Sequence, residues 1–199
     1  KIGDTKISIP PTVLFTASAI LDDADQVVTM DVKRPGDTVY VLGETKDELG
    51  GSEFLSLSQQ LGDKVPTVDP VRARARYEAL HQAITQGLVA SCHDCSDGGL
   101  GAALAESAFA GGFGMTLDLA PLELDNDQVA LFSESQSRFV ATVAADKVSA
   151  FEAVMKATGC FVLGEVTKVP QLVITGAGGT VVDAPLSELK AAWQAPLNY

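Results

Sequence analysis

Apolar and polar residues follow two patterns along the chain, one typical of β-strands and one typical of α-helices. Short apolar runs that end at turn residues predict strands at 38–42, 88–92, 115–119, 138–144, 161–166, 171–175 and 180–182. Apolar positions at helical spacing predict helices at 50–61, 70–86, 100–110, 128–132, 147–158 and 185–193. Because strands and helices alternate and a run of strands comes near the end, we expect an α/β (α+β) fold, with a mixed β-sheet layered with helices.

The helix predicted at 70–86 carries the clearest start signal. Asp69 can cap its first turn, and Pro70 fits the first helical position. Its apolar residues keep helical spacing, so they should face the core. Three basic residues are expected on the solvated side of this helix: Arg72, Arg74 and Arg76.

The apolar run at 12–21 predicts a strand that has no partner before it. A lone strand is not stable by itself, so we expect this segment to pair with residues outside the chain. The turn signal Arg34-Pro35-Gly36-Asp37 follows, and a complete domain is expected to begin near it. On this interpretation the 199 residues are a fragment.

Composition and charge restrict the function classes. The chain has 199 residues, of which 46% are hydrophobic, so it can bury a core and is not disordered. With 14 Lys+Arg against 26 Asp+Glu, its formal charge of −12 argues against nucleic acid or an anionic membrane as a broad-face partner. No apolar run approaches the roughly 20 residues that span a bilayer. Three cysteines do not make a disulfide framework, and a reducing cytoplasm is the simplest compartment.

The segment 91–101 is the most unusual one chemically. A strand ends, a loop of small and polar residues follows, and a helix begins, which aims free backbone N–H groups at one point. Gly98 and Gly99 would let a phosphate approach the backbone, and Asp94 and Asp97 could hold a divalent cation. The alternative is that Ser96 or Asp97 merely caps the helix.

Other candidate chemistry is sparse. Cys92 and Cys95 form a C-x-x-C pair, but zinc would need a second ligand pair, and we expect packed thiols instead. The polar cluster at 131–139 places Glu134, Gln136 and Arg138 at alternate positions. These residues could face a ligand or a partner domain, or form a solvated loop. No catalytic residue is predicted.

Three groups of motifs resemble the phosphoribosylformylglycinamidine synthase family (formylglycinamide ribonucleotide amidotransferase, PurL), in the right order and spacing. The most specific is H-D-x-S-D-G-G-L, which begins at His93 and ends at Leu100. The others are G-E-T with L-G-G-S-E-F at 43–54 and L-F-S-E-S at 131–135. The segments 9–12 and 32–37 fit the same family, so the resemblance covers nearly the whole chain.

The resemblance implies a place within a duplicated synthetase. Residues 1–33 resemble the terminal strand and exit segment of an incomplete N-terminal-type domain. Residues 34–199 resemble a complete C-terminal-type domain like that of aminoimidazole ribonucleotide synthetase. The family's ATP-dependent ligase reaction uses magnesium and glutamine-derived ammonia to convert formylglycinamide ribonucleotide to its amidine. The implied partners are the rest of the synthetase chain, with its N-terminal-type ATP-binding domain, and a glutaminase domain or subunit; the fragment alone should be inert.

The resemblance also assigns site residues. Asp94 matches a Mg²⁺ ligand, Ser96 a contact to ATP or ADP, and Gly98 and Gly99 belong to the same nucleotide-binding motif. In the family, this half of the synthetase holds an auxiliary nucleotide.

A second motif, the triplet Glu134, Ser135 and Gln136, resembles the substrate-contacting E-S-Q of the family's first half.

Two rival functions stay open. One is a non-catalytic scaffold that docks a partner through the strand at 12–21, and the other is an aminoimidazole ribonucleotide synthetase-like enzyme.

Overall fold

A mixed seven-stranded sheet forms the middle layer of the molecule, in the order β2-β4-β1-β5-β3-β6-β7. The computed structural model describes residues 13–21 and 23–197. The strands are β1 (Thr38–Leu42), β2 (Ser91–Asp94), β3 (Gly114–Asp118), β4 (Phe139–Val143), β5 (Cys160–Thr167), β6 (Gln171–Gly176) and β7 (Gly179–Pro185). The α-helices are α1 (Glu53–Ser56), α2 (Pro70–Thr85), α3 (Gly99–Gly111), α4 (Asp127–Phe132), α5 (Val148–Met155) and α6 (Leu186–Gln194). The expected mixed sheet layered with helices is confirmed.

Strand β1 lies in the interior of the sheet, between β4 and β5, and separates two apolar cores. Its alternate residues point to opposite faces, because side chains in a strand have a period of two. Val39 and Val41 pack in the core that α3 and α6 share with β3 and β6. Tyr40 and Leu42 pack on the other face with α2 and α5. This strand pairs antiparallel with both β4 and β5, whereas β3 and β6 pair in parallel.

The sheet register brings three loop-bearing strand ends to one edge of the molecule. Leu42, the last residue of β1, lies opposite Phe139, the first residue of β4. Phe139 in turn lies opposite Asp94, the last residue of β2. The loop after β1, the turn before β4 and the loop after β2 therefore meet side by side.

The helix predicted at 50–61 is much shorter in the structure. Only α1 forms, capped by the Ser52 side chain, which accepts a hydrogen bond from Leu55 N at 3.3 Å. The remaining apolar positions have no surface to pack on, since Leu57 is 85% exposed and Leu61 is 80% exposed. The chain instead loops back, and Gly51 N donates to Leu61 O at 2.6 Å.

Arg76 is buried, which corrects the expectation that it lies on the solvated side of α2. Arg72 and Arg74 are exposed as expected. The Arg76 side chain is only 5% exposed, because its guanidinium reaches across to two backbone carbonyls. Its position in the helical repeat lies on the apolar face of α2. The sequence interpretation placed it on the solvated side because arginine is charged.

The strand predicted at 12–21 does not form in the described residues 13–21. Val13, Leu14, Phe15 and Ile20 are all more than 70% exposed there. Thr12 and the motif residues 9–11 lie outside the described residues. The division of the chain at residue 34 stays a prediction. Within the described residues, no helix combines the length and the apolar character that crossing a membrane requires.

Asp37, just before β1, provides a test of the energetics of this fold. It is 3% exposed, its Oδ1 lies 3.3 Å from Arg34 Nε, and its Oδ2 has no partner among the described residues. Burial raises the pKa of this carboxyl. Its contribution to folding is therefore present below the unfolded pKa and is lost as pH rises through the folded pKa.

We expect Asp37→Asn to raise the free energy of unfolding near neutral pH by about 1 kcal/mol, because it removes a buried charge with an unsatisfied oxygen. Urea denaturation at a series of pH values measures this effect, with exposed Asp125→Asn as the control. The gain should shrink as the pH falls. A loss of stability at neutral pH would mean that the Arg34 contact outweighs the cost of burial.

Candidate functional site

The turn between β2 and α3 contains the residues of the most specific motif. Gly98 is the N-cap of α3 with φ +80°, and Gly99 follows with φ +65°. Both conformations favour glycine. A Cβ at Gly99 would lie 2.5 Å from Ser133 O and 2.9 Å from Leu131 O. The start of α3 is therefore packed closely against the end of α4.

The carboxylate of Glu134 caps the start of α3. Its Oε1 accepts hydrogen bonds from Gly98 N and from Glu53 N, both at 2.9 Å. One oxygen thus joins the N-terminal ends of α3 and α1, where negative charge is favoured. The expectation that Ser96 or Asp97 caps α3 is wrong, because the cap comes from a residue 36 positions away.

Two further N–H groups at the start of α3, those of Leu100 and Gly101, have no acceptor in the described part of the chain. Leu100 is fully buried, whereas Gly101 is partly exposed. The predicted anion position is therefore divided: Glu134 fills the part at Gly98, and the amide of Gly101 is left for an acceptor from outside.

A buried arginine fixes the turn that carries Glu134. Arg138 is 1% exposed, and its Nε donates to Ser135 O at 2.9 Å while Nη2 donates to Ser133 O. Its Nη1 donates to Thr45 Oγ1 at 2.8 Å. Burial lowers the pKa of this guanidinium, although an arginine in a protein stays charged.

Serine side chains complete the attachment of this turn to the loop after β1. Ser133 Oγ accepts from Glu48 N at 3.2 Å, and Ser135 Oγ accepts from Lys46 N at 3.0 Å. We call residues 133–138 the Arg138 turn. These contacts go to backbone atoms or to the half-buried Thr45 side chain. The turn therefore holds the loop after β1 in place.

The three residues of the predicted substrate triplet lie in different environments. Glu134 is half-buried, and Ser135 is only 1% exposed. Gln136 is exposed, and its Nε2 donates to Glu134 O at 3.1 Å. Of the three, Gln136 is the side chain that presents its polar group to solvent.

Asp94 is exposed at the end of β2 and lies beside the α3 turn. Ser96 Oγ donates a hydrogen bond to the Asp94 carboxylate. This hydrogen bond lowers the pKa of Asp94, so the group is ionised at neutral pH. The structure thus brings together the predicted metal ligand and the predicted nucleotide contact.

Glu106, which the sequence interpretation missed, holds the neighbouring histidine. Its Oε2 lies 2.7 Å from His93 Nε2, and its Oε1 accepts from Trp193 Nε1 at 2.8 Å. His93 Nδ1 lies 3.5 Å from Asp94 Oδ1. Glu106 lies in mid-helix, where no local motif marks it.

The residues present fit a magnesium ion only in part. Within the described residues, no group of three or more His, Cys, Asp or Glu side chains could hold a metal. Mg²⁺ requires about six oxygen ligands, of which phosphates and water often supply several. Asp94 can supply one carboxylate oxygen, and the other ligands must come from elsewhere.

The cysteines are packed thiols, as expected. Cys92, Cys95 and Cys160 are free, and Cys95 is buried. Burial raises the pKa of Cys92 to about 12 and that of Cys95 to about 11. Thiols with such values are poor nucleophiles and poor metal ligands at neutral pH.

Comparison with known proteins gives one family match. The family described as AIR synthase related protein, C-terminal domain, matches residues 34–177.

Several solved structures share the fold. The structure of Thermotoga maritima PurL complexed with FGAR is 24% identical, with a TM-score of 0.73 over 83% of this chain and 30% of that chain. The structure of PurLQS from Thermotoga maritima is 24% identical, with a TM-score of 0.67 over 83% and 28%. Hydrogenase maturation protein HypE in complex with ATP is 18% identical, with a TM-score of 0.56 over 81% and 54%. This chain therefore spans less than a third of the length of the PurL structures that it matches.

Gly99, the first residue of α3, and Gly112, which follows its last residue, test the close packing at the start of this helix. Gly99 and Gly112 both have positive φ, but a Cβ at Gly112 meets nothing within 4 Å. We expect Gly112→Ala to cost about 1 kcal/mol from backbone strain alone. Gly99→Ala should cost at least about 2 kcal/mol more, because overpacking adds to the strain. Urea denaturation of both variants measures the difference, and equal losses would show that the turn can yield to the added methyl group.

Proposed function

The chain belongs to the family of AIR synthase related proteins, whose C-terminal domain matches residues 34–177, and from that premise we propose that it is the C-terminal-type segment of a phosphoribosylformylglycinamidine synthase. The whole enzyme would convert formylglycinamide ribonucleotide to its amidine, with ATP and glutamine-derived ammonia. In this proposal residues 1–33 close an N-terminal-type domain, and residues 34–199 form the C-terminal-type domain.

The observation that carries the proposal is the geometry of the turn between β2 and α3. An ionised carboxylate at Asp94, the Ser96 hydroxyl and the partly exposed amide of Gly101 all belong to one turn of eight residues. Backbone N–H groups at a helix start favour phosphate oxygens. A carboxylate beside them would oppose a bare phosphate but suits a phosphate that arrives with a divalent cation.

We assign roles in this site to four residues. Asp94 would supply one oxygen ligand to Mg²⁺, which neutralises phosphate charge when it is bound. Ser96 would orient the Asp94 carboxylate and contact the nucleotide. Gly98 and Gly99 are assigned to the same nucleotide-binding motif, where their positive φ angles let the chain turn from β2 into α3.

The Arg138 turn would face the substrate. Gln136 offers an exposed amide that can contact formylglycinamide ribonucleotide. Glu134 and Ser135 are assigned to the same substrate site, and their backbone contacts support a positioning role for them. No catalytic residue of this chain is proposed.

The missing ligands imply that the segment is inert alone. The other metal ligands and the ATP-binding surface would come from the N-terminal-type domain, and ammonia would come from a glutaminase domain or subunit. A groove of about 430 Å³ beside the α3 turn supports such a contact. The stacked rings of Phe54 and Phe132, 4.7 Å apart, form part of its wall. The free thiols fit a cytoplasmic enzyme.

The same groove supports one rival, a scaffold domain that only docks a partner. A scaffold has no use for the charge of Asp94, which is exposed and makes local contacts with Ser96 and His93. The two functions therefore differ in their response to a substitution at this position.

We expect Asp94→Asn to weaken Mg²⁺-dependent ADP binding by the complete synthetase at least about tenfold, because one charged ligand is lost. Equilibrium dialysis with Mg²⁺ and ADP measures the binding. Asp125→Asn, an exposed carboxylate in another loop, is the matched control and should bind normally. Unchanged ADP binding by a folded Asp94→Asn variant would contradict the metal assignment and favour the scaffold.

A further inference from the structure

A small cavity lies on another side of the Arg138 turn, between the start of α2 and Ser137. It is partly open to solvent, and its volume is about 30 Å³, which is room for a few atoms only. The lining residues that carry charge are Glu44, Lys46, Asp69, Arg72 and Arg76. We call this cavity the Arg76 pocket.

Arg76 is a buried cation without a carboxylate partner. Its Nε donates to Thr158 O at 2.9 Å and its Nη1 to Ser137 O at 2.8 Å, so both partners are neutral. The remaining nitrogen, Nη2, donates to no atom of the described chain. The carboxylate whose charge acts on Arg76 is Glu44, which already pairs with Arg72. The two cations thus share one carboxylate, and a bound anion would offset the cost of the buried charge.

The carboxylates of the pocket are already engaged. Glu44 accepts two hydrogen bonds from Arg72. Asp69 Oδ1 accepts from Val71 N and Arg72 N, which caps α2. Lys46 Nζ lies 4.0 Å from Glu48 Oε1, the limit of an ion pair. Three cations thus border the pocket in a chain whose formal charge is −12.

Backbone strain is stored at the wall of the same pocket. Ser137 has φ +62°, a conformation that an L-residue rarely adopts and that costs about 1 kcal/mol or more. Its carbonyl meets Arg76, and its Oγ lies 2.6 Å from Tyr77 Oη. Such strain is common where a structure holds a ligand group in place.

We propose that the Arg76 pocket binds the phosphate group of a small phosphorylated ligand. Guanidinium groups match the oxygens of phosphate, and Arg76 Nη2, Arg72 and Lys46 provide donors around one point. The pocket is small and opens to solvent, so it suits a compact head group, and the rest of the ligand would lie outside, past exposed Gln136. The pocket is separate from the α3 turn, and the inference does not depend on nucleotide binding there.

The test uses inorganic phosphate and the 199-residue chain. Backbone NMR shifts should change at residues 43–46, 72–76 and 136–137 as phosphate is added at constant ionic strength. Acetate is the control anion. The exposed Arg74, which pairs with Glu78, gives a matched control on the same helix.

Two variants should change the affinity in opposite directions. Glu44→Gln removes the carboxylate that competes for Arg72 and should tighten phosphate binding about fivefold. Lys46→Gln should weaken phosphate binding about fivefold, and Arg74→Gln should leave it unchanged. Both variants lie at exposed or half-exposed positions, so neither should prevent folding.

Three results would overturn the proposal. The first is the absence of shifts around the Arg76 pocket, including the case in which phosphate shifts only the α3 turn, which would leave the proposed nucleotide site intact. The second is equal binding of acetate. The third is a uniform affinity across the three variants.

Discussion

The buried guanidinium of Arg138 is the constraint on which the candidate site depends. Its hydrogen bonds to Ser133 O, Ser135 O and Thr45 Oγ1 hold the turn before β4 against the loop after β1. Each of its three guanidinium nitrogens has an acceptor, and leaving one without an acceptor in a buried site would be costly, so this geometry permits little freedom. The turn in turn places Glu134 at the start of α3.

The sheet makes this arrangement possible. Leu42, Phe139 and Asp94 lie in one row across three neighbouring strands, so their loops meet without any long connection. Glu134 then joins the starts of α1 and α3 through a single oxygen. The result is a well-braced floor on which Asp94 and Ser96 are exposed and the amide of Gly101 is partly exposed. Pre-organised donors of this kind suit phosphate recognition.

Local patterns predicted most of the fold, because hydrophobic periodicity and the residues that begin or end helices and strands are local features of the sequence. The motif H-D-x-S-D-G-G-L pointed to a synthetase of this kind, and the match at residues 34–177 shows the broader family of AIR synthase related proteins. Long-range polar contacts were beyond such patterns. Glu134 caps α3 and Glu106 is the partner of His93. Neither contact follows from the spacing of residues along the chain. The helix predicted at 50–61 is too long, since the spacing of apolar residues does not show whether the protein offers a surface for them to pack against.

The central claim is that the start of α3 receives a phosphate oxygen on the amide that Glu134 leaves available, that of Gly101. Amide hydrogen exchange of the complete synthetase, with and without Mg²⁺ and ADP, tests it most directly. The account predicts new protection at Gly101, while Gly98 stays protected in both states because Glu134 already holds it. Unchanged exchange at Gly101 with nucleotide bound would contradict the account.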